Sequence, residues 1–188
     1  MCIRDSVALA VERIRSSARP SRSDLVNGGM EIDDDGDRVP DGWQVASPSG
    51  NDHRVCNPVK AHTGNCFFRF QGDASAQVHD LTQVITHSGV AGDALDLKLF
   101  VLANGVTAGR GKIVLTVENT SSGQLETAHL AIPDGTDKYQ ELSLVHQVGS
   151  LNPGVREYDR IVLTIRAVGM TAGSSLLVDD VSLRFTPP

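Results

Sequence analysis

From Asp24 onward the chain is a series of short apolar or alternating runs separated by turn-forming residues. Clusters rich in Gly, Asn, Asp and Pro, such as "HSGVAGD", "NTSSGQ" and "SLNPG", lie between the runs and favour turns. Val, Ile and Thr are frequent in the runs, and no segment sustains the period of an amphipathic helix. The runs are therefore predicted to be β-strands: "CFFRF", "AQVHDLTQVI", "ALDLKLFVLA", "KIVLTVEN", "ETAHLAI", "ELSLVHQV", "DRIVLTIRAV" and "SLLVDDVSLRF".

Apolar residues recur at every second position in two of these runs, which is the period of a strand with one buried face. The positions are Leu95, Leu97, Leu99 and Val101 in one run, and Ile161, Leu163 and Ile165 in the other. About nine or ten short strands, with no helices to cover a parallel sheet, predict two packed antiparallel sheets. We therefore expect an all-β fold, an antiparallel two-sheet β-sandwich of the jelly-roll type, formed by residues 24–186.

The first 23 residues lack this pattern. Residues 1–6, "MCIRDS", match the translation of a transposon-type sequencing adaptor, and we interpret them as an artefact that stands in place of the true N-terminus. Residues 7–23 end in "SSARPSRS", a composition typical of a linker. They are predicted to be a linker or the remnant of an upstream region, so the other domains of a parent chain are expected partners.

Charge and hydropathy exclude several kinds of partner. The formal net charge is -6, and no block of Lys and Arg interrupts it, which argues against binding to nucleic acid or to an anionic membrane. No apolar run approaches the roughly 18 residues that a membrane-spanning helix needs, so we expect no membrane insertion. No export signal is visible, since "VALAV" is short and is followed closely by "ERIRSSARPSR".

Two cysteines remain once the adaptor-like Cys2 is set aside. Cys56 and Cys66 bracket the segment "NPVKAHTGN". Such a pair in a cysteine-poor chain predicts a loop-closing disulfide, which stabilises a fold by roughly 2–3 kcal/mol and implies an oxidising, extracellular or cell-surface location. Two free thiols are the alternative, because the pairing depends on the distance between the Cα atoms.

The most acidic stretch, "EIDDDGDRVPDGW", spaces its aspartates like the ligands of a calcium loop. Positions 1, 3, 5 and 9 of such a loop are occupied by carboxylates and position 7 offers a backbone carbonyl: Asp33, Asp35, Asp37, Asp41 and Val39. This is the oxygen spacing of an EF-hand-like loop. The stretch is therefore a predicted second calcium site.

Two residues depart from that calcium pattern. Arg38 stands at position 6, where glycine normally makes the sharp turn, and Gln44 stands at position 12, where a glutamate is usual. An exposed turn is the alternative, since Asp-Gly and Pro-Asp-Gly form turns without a metal. Both interpretations stay open. The departures from the pattern favour a turn, whereas the mutual repulsion of four close negative charges favours a bound cation.

Four motifs follow one another along the chain: "LVNGGMEIDDDGDRVPDGW", "AHTGNCFFRF", "DLTQVI" and "LLVDDVSLRF". Together they resemble a carbohydrate-binding-module-type β-jelly roll of the galactose-binding-like, calcium-containing group. Members of that group typically begin with Asn-Gly-x-Phe-Glu, continue with Gly-Trp and a Ser-Gly turn, and close with Asp-Asp-Val-x-Leu. The resemblance covers residues 24–185. Met30 stands in place of the usual Phe, and His62-Thr63-Gly64 in place of the Ser-Gly turn.

In the last motif, strict alternation would place an aspartate on an apolar face. That face would consist of Leu177, Asp179, Val181, Leu183 and Phe185. A buried carboxylate needs a partner. One interpretation is that Asp179 accepts backbone hydrogen bonds at an edge of the sandwich.

The resemblance implies another interpretation, a structural calcium ion. In the resembled group the aspartate that corresponds to Asp179 meets the glutamate of the first motif, here Glu31, around the ion. Backbone carbonyls near three further residues would complete the set of hard oxygen ligands: Asn27, Gly29 and His62.

The resemblance also implies carbohydrate binding, which in this group uses Trp and Tyr because pyranose faces stack on aromatic rings. Aromatic residues make up 4% of the chain, so candidates are few. Trp43, Phe68 and Phe70 are predicted to pack in the core. Tyr139 and Tyr158, which lie at strand starts near loops, are the predicted ligand-binding residues.

The main catalytic signatures are missing from the sequence, including a nucleophile elbow, a zinc-protease motif, a P-loop and a dinucleotide fingerprint. We therefore predict a non-catalytic extracellular module, which could be an accessory module of a larger enzyme, that binds a polysaccharide or other glycan and is stabilised by calcium. The alternative is a structural or adhesive spacer of a larger bacterial surface or secreted protein. The small number of aromatic residues favours the spacer function, and the family resemblance favours glycan binding.

Overall fold

The computed structural model describes residues 24–46, 50–73, 77–106, 110–133, 135–149, 151 and 154–188. Ten strands form two antiparallel sheets of five strands each, which confirms the predicted all-β sandwich. Among the described residues no helix is long and apolar enough to cross a membrane. The predictions for residues 1–6 and 7–23 lie outside the described residues.

The first sheet has the strand order β1-β4-β9-β6-β7, with every pair antiparallel. Its strands are β1 (Gln44–Ala46), β4 (Val78–Val90), β9 (Glu157–Val168), β6 (Gly111–Asn119) and β7 (Gln124–Ala131). The second sheet has the order β2-β3-β10-β5-β8. Its strands are β2 (His53–Cys56), β3 (Cys66–Gln71), β10 (Ser175–Thr186), β5 (Ala94–Asn104) and β8 (Gln140–Gln147).

The core lies between the two sheets and takes every second side chain of the central strands. The alternating residues predicted on β5 and β9 are fully buried, as expected: Leu95, Leu97, Leu99, Val101, Ile161, Leu163 and Ile165. Phe68, Phe70 and Trp43 also belong to this core. Burying each such side chain contributes about 1.5–3 kcal/mol relative to exposure, so the alternation of apolar residues determines which face of each sheet points inward.

The last strand contains a β-bulge. The register between β10 and β5 shifts between Asp179 and Ser182, and Asp180 adopts a left-handed backbone with a φ of 48°. An extra residue moves all following side chains to the other face of a strand. Even-numbered residues of β10 therefore point into the core before the bulge, and odd-numbered residues do so after it. These core residues are Leu176, Val178, Val181, Leu183 and Phe185.

This bulge corrects the predicted face of the final motif. Leu177 pairs with Leu102 and Asp179 pairs with Phe100, and paired residues of antiparallel strands lie on the same face. These four side chains occupy the outer face of the second sheet. The prediction that Asp179 shares a face with Val181 is therefore wrong. Asp179 is nevertheless fully buried, because a loop covers it.

Candidate functional site

The loop between β2 and β3 is closed by the predicted disulfide. Cys56 ends β2 and Cys66 begins β3, and their Sγ atoms are 2.12 Å apart. The two residues are also partners in the strand register, so antiparallel pairing brings them together. The disulfide prediction is confirmed, and the free-thiol alternative is excluded. We call residues 57–65 the disulfide loop.

His62 holds the disulfide loop against the outer face of the second sheet. Its ring stacks on Phe100, with ring centroids 3.7 Å apart and planes inclined by 14°. Its Nδ1 lies 2.6 Å from Oδ2 of Asp180, and its backbone N–H donates to Oδ2 of Asp179 at 2.8 Å. The loop thereby covers Asp179 and removes its carboxylate from solvent.

The Asp179 carboxylate is held by backbone N–H groups. Besides His62, Thr63 donates to Oδ2 at 3.4 Å, and Asp180 donates to Oδ1 at 2.8 Å. Burial nevertheless raises the pKa of Asp179 to about 6, because desolvation outweighs the donated hydrogen bonds. At neutral pH this is a charged, buried group, and within the described part of the chain it makes no ion pair.

Glu31 binds the other end of the disulfide loop. Its Oε1 accepts the backbone N–H groups of Asn65 at 2.7 Å and Cys66 at 3.0 Å. Gly64 has a φ of 62°, and a Cβ at that position would lie 2.2 Å from the same oxygen. Any other residue there would be strained by this backbone conformation and would displace the Glu31 carboxylate. Glu31 and Asp179, the two carboxylates predicted to share a calcium ion, bind the two ends of one turn.

The segment that precedes Glu31 packs beside the bulge of β10. The backbone oxygen of Asn27 accepts from Met30 at 3.1 Å and from Nε1 of Trp43 at 3.2 Å. A Cβ on Gly29 would lie 3.7 Å from Oδ1 of Asp180. The five predicted ligand residues, Asn27, Gly29, Glu31, His62 and Asp179, thus lie around the disulfide loop and the bulge.

The donor chemistry of this region fits calcium. Carboxylate and carbonyl oxygens are the ligands that calcium takes, and a cation would offset the charge that burial disfavours on Asp179. His62, however, presents its backbone N–H to Asp179. Backbone hydrogen bonds at the sandwich edge, the other interpretation of Asp179, are therefore present in the structure.

The acidic stretch folds into a compact loop. One carboxylate oxygen from each of Asp33, Asp35 and Asp37 lies within 4.8 Å of the others. Arg38 has a φ of 70°, so the backbone makes the sharp turn at the position where glycine is usual. Asp41 reaches back to accept the N–H of Asp34 at 3.1 Å.

Hydrogen bonds inside this loop are also those of an Asx turn. The N–H groups of Gly36 and Val39 donate to side chains two or three residues earlier, at 3.0 Å to Asp33 and 2.7 Å to Asp37. Arg54 lies 3.6 Å from Asp33 and donates to the backbone oxygens of Met30 and Glu31. The geometry is compatible with both interpretations, and calcium binding by Asp33, Asp35, Asp37, Val39 and Asp41 stays a prediction.

A cleft of about 420 Å³ opens beside the disulfide loop on the outer face of the second sheet. Leu102 and Leu177, which pair across β5 and β10, form its floor. Residues 59–61 of the disulfide loop line one side, and Lys138 and Tyr139, just before β8, line another. A volume of this size is typical of a small-molecule site.

Tyr139, a predicted ligand-binding residue, lines this cleft. Its ring meets the edge of the His62 ring at a centroid distance of 5.3 Å and an angle of 62°. Its hydroxyl is buried and has no hydrogen-bond partner among the described residues. Burial, and secondarily the charges of Asp179 and Asp180, raise the pKa of Tyr139 well above its usual value.

Tyr158, the other predicted ligand-binding residue, is 1% exposed and belongs to the core. Its hydroxyl donates to Asp93 at 3.0 Å, and burial raises its pKa. Gly89 leaves room for it, since a Cβ on that glycine would lie 2.3 Å from the Tyr158 hydroxyl. The ring therefore presents no face on which a sugar could stack, and the prediction for Tyr158 is not supported.

Several cleft residues were not predicted from the sequence, namely Lys60, Leu102, Lys138 and Leu177. A signal was present in the run "LFVLA", residues 99–103, where alternation breaks down and both faces of β5 become apolar. An apolar residue on the outer face of a sheet indicates that something covers or uses that face. Leu177 next to Leu176 gives the same signal on β10.

The outer face of the first sheet differs in its side chains from the outer face of the second sheet. Thr82, Thr164, Val114 and His129 form one row across four strands. The next row consists of Val84, Val162, Thr116 and Thr127. Small β-branched side chains dominate these two rows, which contain no Tyr, Trp or Phe.

No known family model and no curated protein sequence matches the chain. Solved structures match over nearly the whole chain. A family 61 carbohydrate-binding module in complex with β-1,4-galactotriose is 20% identical, with 87% of this chain and 98% of that chain covered and a TM-score of 0.58. The CBM22-1 xylan-binding domain of Xyn10C from Paenibacillus barcinonensis is 12% identical, with 92% and 99% covered and a TM-score of 0.58.

An enzyme also has this fold. The Stig cyclase Fisc from Fischerella sp. TAU is 14% identical, with 87% of this chain and 96% of that chain covered and a TM-score of 0.64. The resemblance seen in the motifs is confirmed at the level of the fold, a carbohydrate-binding-module-type jelly roll.

Proposed function

We propose that this carbohydrate-binding-module-type jelly roll is a non-catalytic module of a secreted or cell-surface protein and binds a polysaccharide in the cleft beside Tyr139. The observation that carries the proposal is the cleft itself. It has an apolar floor of Leu102 and Leu177, an aromatic side at Tyr139, and polar groups from Asn104 and Ser175.

This combination suits the chemistry of a sugar ring. A pyranose has apolar C–H faces that pack on aromatic and aliphatic side chains, and hydroxyl groups at its rim that need hydrogen-bond partners. The floor residues and Tyr139 supply the first kind of contact. The amide of Asn104 and the hydroxyl of Ser175 supply the second.

The side of the cleft formed by the disulfide loop is held in place before any ligand binds. The Cys56–Cys66 bond closes the loop, His62 stacks on Phe100, and Glu31 binds its end. A preorganised site avoids much of the entropy that is lost when a loop becomes ordered on binding. The loop is therefore suited to recognition, and its disulfide supports an oxidising, extracellular location.

A non-catalytic role is supported by the residues of the cleft. Glycoside hydrolysis needs two carboxyl groups that face each other across the bond to be cleaved. No Asp or Glu is among the cleft residues that the structure describes. Asp179 and Asp180 lie near Tyr139 but bind the disulfide loop. The cleft offers contacts for a glycan and no acid pair to cleave it.

Calcium is the proposed structural ion, with Glu31, Asp179 and the carbonyl groups near Asn27, Gly29 and His62 as its ligands. An ion there would tie the disulfide loop to the N-terminal segment and offset the buried charge of Asp179. Its role would be to stabilise one side of the cleft.

The test is affinity electrophoresis of the full, oxidised chain through gels that contain soluble neutral and acidic polysaccharides, with calcium and again with chelator. We expect retardation by at least one polymer. Tyr139→Ala should abolish it, whereas Tyr139→Phe should preserve it because the hydroxyl has no partner. Val84→Ala on the first sheet is the matched control. Lack of retardation by every polymer would contradict the proposal.

A structural or adhesive spacer is the second candidate function. The observation that favours it is the outer face of the first sheet, whose Thr and Val rows carry no aromatic residue for stacking. A spacer needs the same fold and the same bound ion but no cleft. It is the function that remains if no polysaccharide retards the chain.

A further inference from the structure

The charges around the proposed glycan cleft are unusual for this chain. The formal net charge is -6, and the sequence contains four lysines: Lys60, Lys98, Lys112 and Lys138. Two of them, Lys60 and Lys138, line the cleft. These two lysines bring two positive charges to one apolar cleft of an acidic protein, and such charges attract an anionic ligand.

Among the described residues, neither cleft lysine has an ion-pair partner. Lys98 lies 3.8 Å from Glu141 on the adjacent strand. Lys60 and Lys138, by contrast, make no ion pair within the described ranges of the chain, and both are exposed. The described residues that line the cleft include no carboxylate. An incoming anion would therefore meet two unpaired ammonium groups.

Both lysines are carried by fixed backbone. The N–H groups of Lys60 and Ala61 both donate to the backbone oxygen of Asn57 at 2.9 Å, inside the loop that the disulfide closes. Near Lys138, Thr136 donates its N–H to the backbone oxygen of Ala103 at 2.6 Å and accepts the Ala103 N–H at 2.8 Å. The stems of both lysines therefore start from ordered positions on two different sides of the cleft.

We propose that the polysaccharide recognised here is acidic, a chain of uronic-acid sugars whose carboxylates pair with Lys60 and Lys138 while the ring faces lie on Tyr139, Leu102 and Leu177. This inference rests on the proposed function of the same cleft. It adds the chemical class of the ligand.

The sparseness of the positive charge favours a uronate over a heavily sulfated chain. A uronate polymer carries one charge per acidic sugar, and the two lysines match a low charge density. A densely sulfated polymer needs a broad basic patch. The charges of Asp179 and Asp180, which act on Tyr139, and the net charge of -6 oppose both kinds of polymer. They oppose the sulfated chain more strongly, because it carries more negative charge per sugar.

The test uses polygalacturonate and alginate, each compared with its carboxyl-reduced, neutral derivative. Dextran sulfate is the sulfated polymer used for comparison. Affinities of the full chain are measured by affinity electrophoresis and titration calorimetry. We expect binding to at least one uronate polymer, weaker binding to its reduced form, and weakening as salt rises from low concentration to about 0.5 M, because screening shortens the range of the charges.

Lys60→Gln and Lys138→Gln should each lower the affinity by a factor of about 1.4 to 5, the range that corresponds to the energies of exposed ion pairs. Lys112→Gln is the matched control, since it removes the same charge from β6 of the first sheet and should leave the affinity unchanged. Equal loss in the control would overturn the inference, because it would show that only net charge matters.

Failure of this inference is distinguishable from failure of the proposed function. Tyr139-dependent binding to neutral polymers, with no effect of the two lysine variants, would overturn the acidic ligand and leave carbohydrate binding intact. Preference for dextran sulfate over both uronates would also overturn the uronate assignment. Binding to none of the polymers would overturn both proposals.

Discussion

The buried carboxylate of Asp179 makes stability depend on pH in an unusual direction. Its pKa is raised from an ordinary value of 3.8 to about 6 in the folded chain. Well below pH 4 the group is protonated in both states, and well above pH 6 it is charged in both. Between these values the folded state holds a proton that the unfolded state has lost. Stability from this group therefore falls as the pH rises.

The magnitude follows from the size of the pKa shift. Each unit corresponds to 1.36 kcal/mol, so the shift of Asp179 costs about 3 kcal/mol of unfolding free energy once the group is fully ionised. Between pH 4 and 7.5 about 2–3 kcal/mol of this cost would develop. Asp179→Asn cannot ionise, and its side-chain oxygen can still accept the N–H of His62.

The assay is urea unfolding of the wild-type chain and of Asp179→Asn in chelator at several values of pH. The difference between the two free energies cancels the titration of groups that do not interact with Asp179. We expect the wild type to lose about 2–3 kcal/mol relative to the variant between pH 4 and 7.5. Calcium should restore wild-type stability at pH 7.5 and have less effect on the variant.

A difference that stays constant with pH would show that the pKa of Asp179 is not raised in the folded chain. A change of opposite sign would also contradict the raised pKa. In that case the N–H groups of His62, Thr63 and Asp180 would outweigh desolvation and lower the pKa of Asp179.

Two further predictions concern the disulfide loop and its support. Replacing Cys56 and Cys66 by Ser should lower the free energy of unfolding in urea by about 2.7 kcal/mol, the loop-closure entropy for a sequence separation of 10; equal values for the two proteins would contradict it. Gly28→Ala should cost about 3 kcal/mol or more, because its Cβ would lie 1.9 Å from the backbone oxygen of Val181. Thermal unfolding measures this, and Gly29→Ala, whose Cβ meets nothing closer than 3.7 Å, is a control that should remain near wild type.

The strands and the core could be predicted because their signals are local. Period-two alternation on β5 placed Leu95, Leu97 and Leu99 in the core, and each is fully buried. The bulge in β10 could not be predicted from a local sequence pattern. It depends on a contact far away in sequence, the hydrogen bond from the N–H of Val181 to the oxygen of Gly28 at 2.9 Å.

The cleft was only partly predictable for a similar reason. Tyr139 stood out as an aromatic residue beside a turn, but Tyr158 shared that description and proved to be core, since the space beside Gly89 accommodates its ring. Lys60 and Lys138 lie far apart in sequence, and the fold alone brings them to one cleft. No local pattern could join them.

Glycan binding at the cleft can be mapped by NMR of the full, oxidised chain during titration with oligosaccharides prepared from the polysaccharides of the binding panel. We expect chemical-shift changes concentrated at the cleft, at Leu102, Tyr139 and Leu177, for at least one oligosaccharide. Changes centred on the outer face of the first sheet, around Thr82 and Thr164, or no changes with any oligosaccharide, would contradict glycan binding at the cleft.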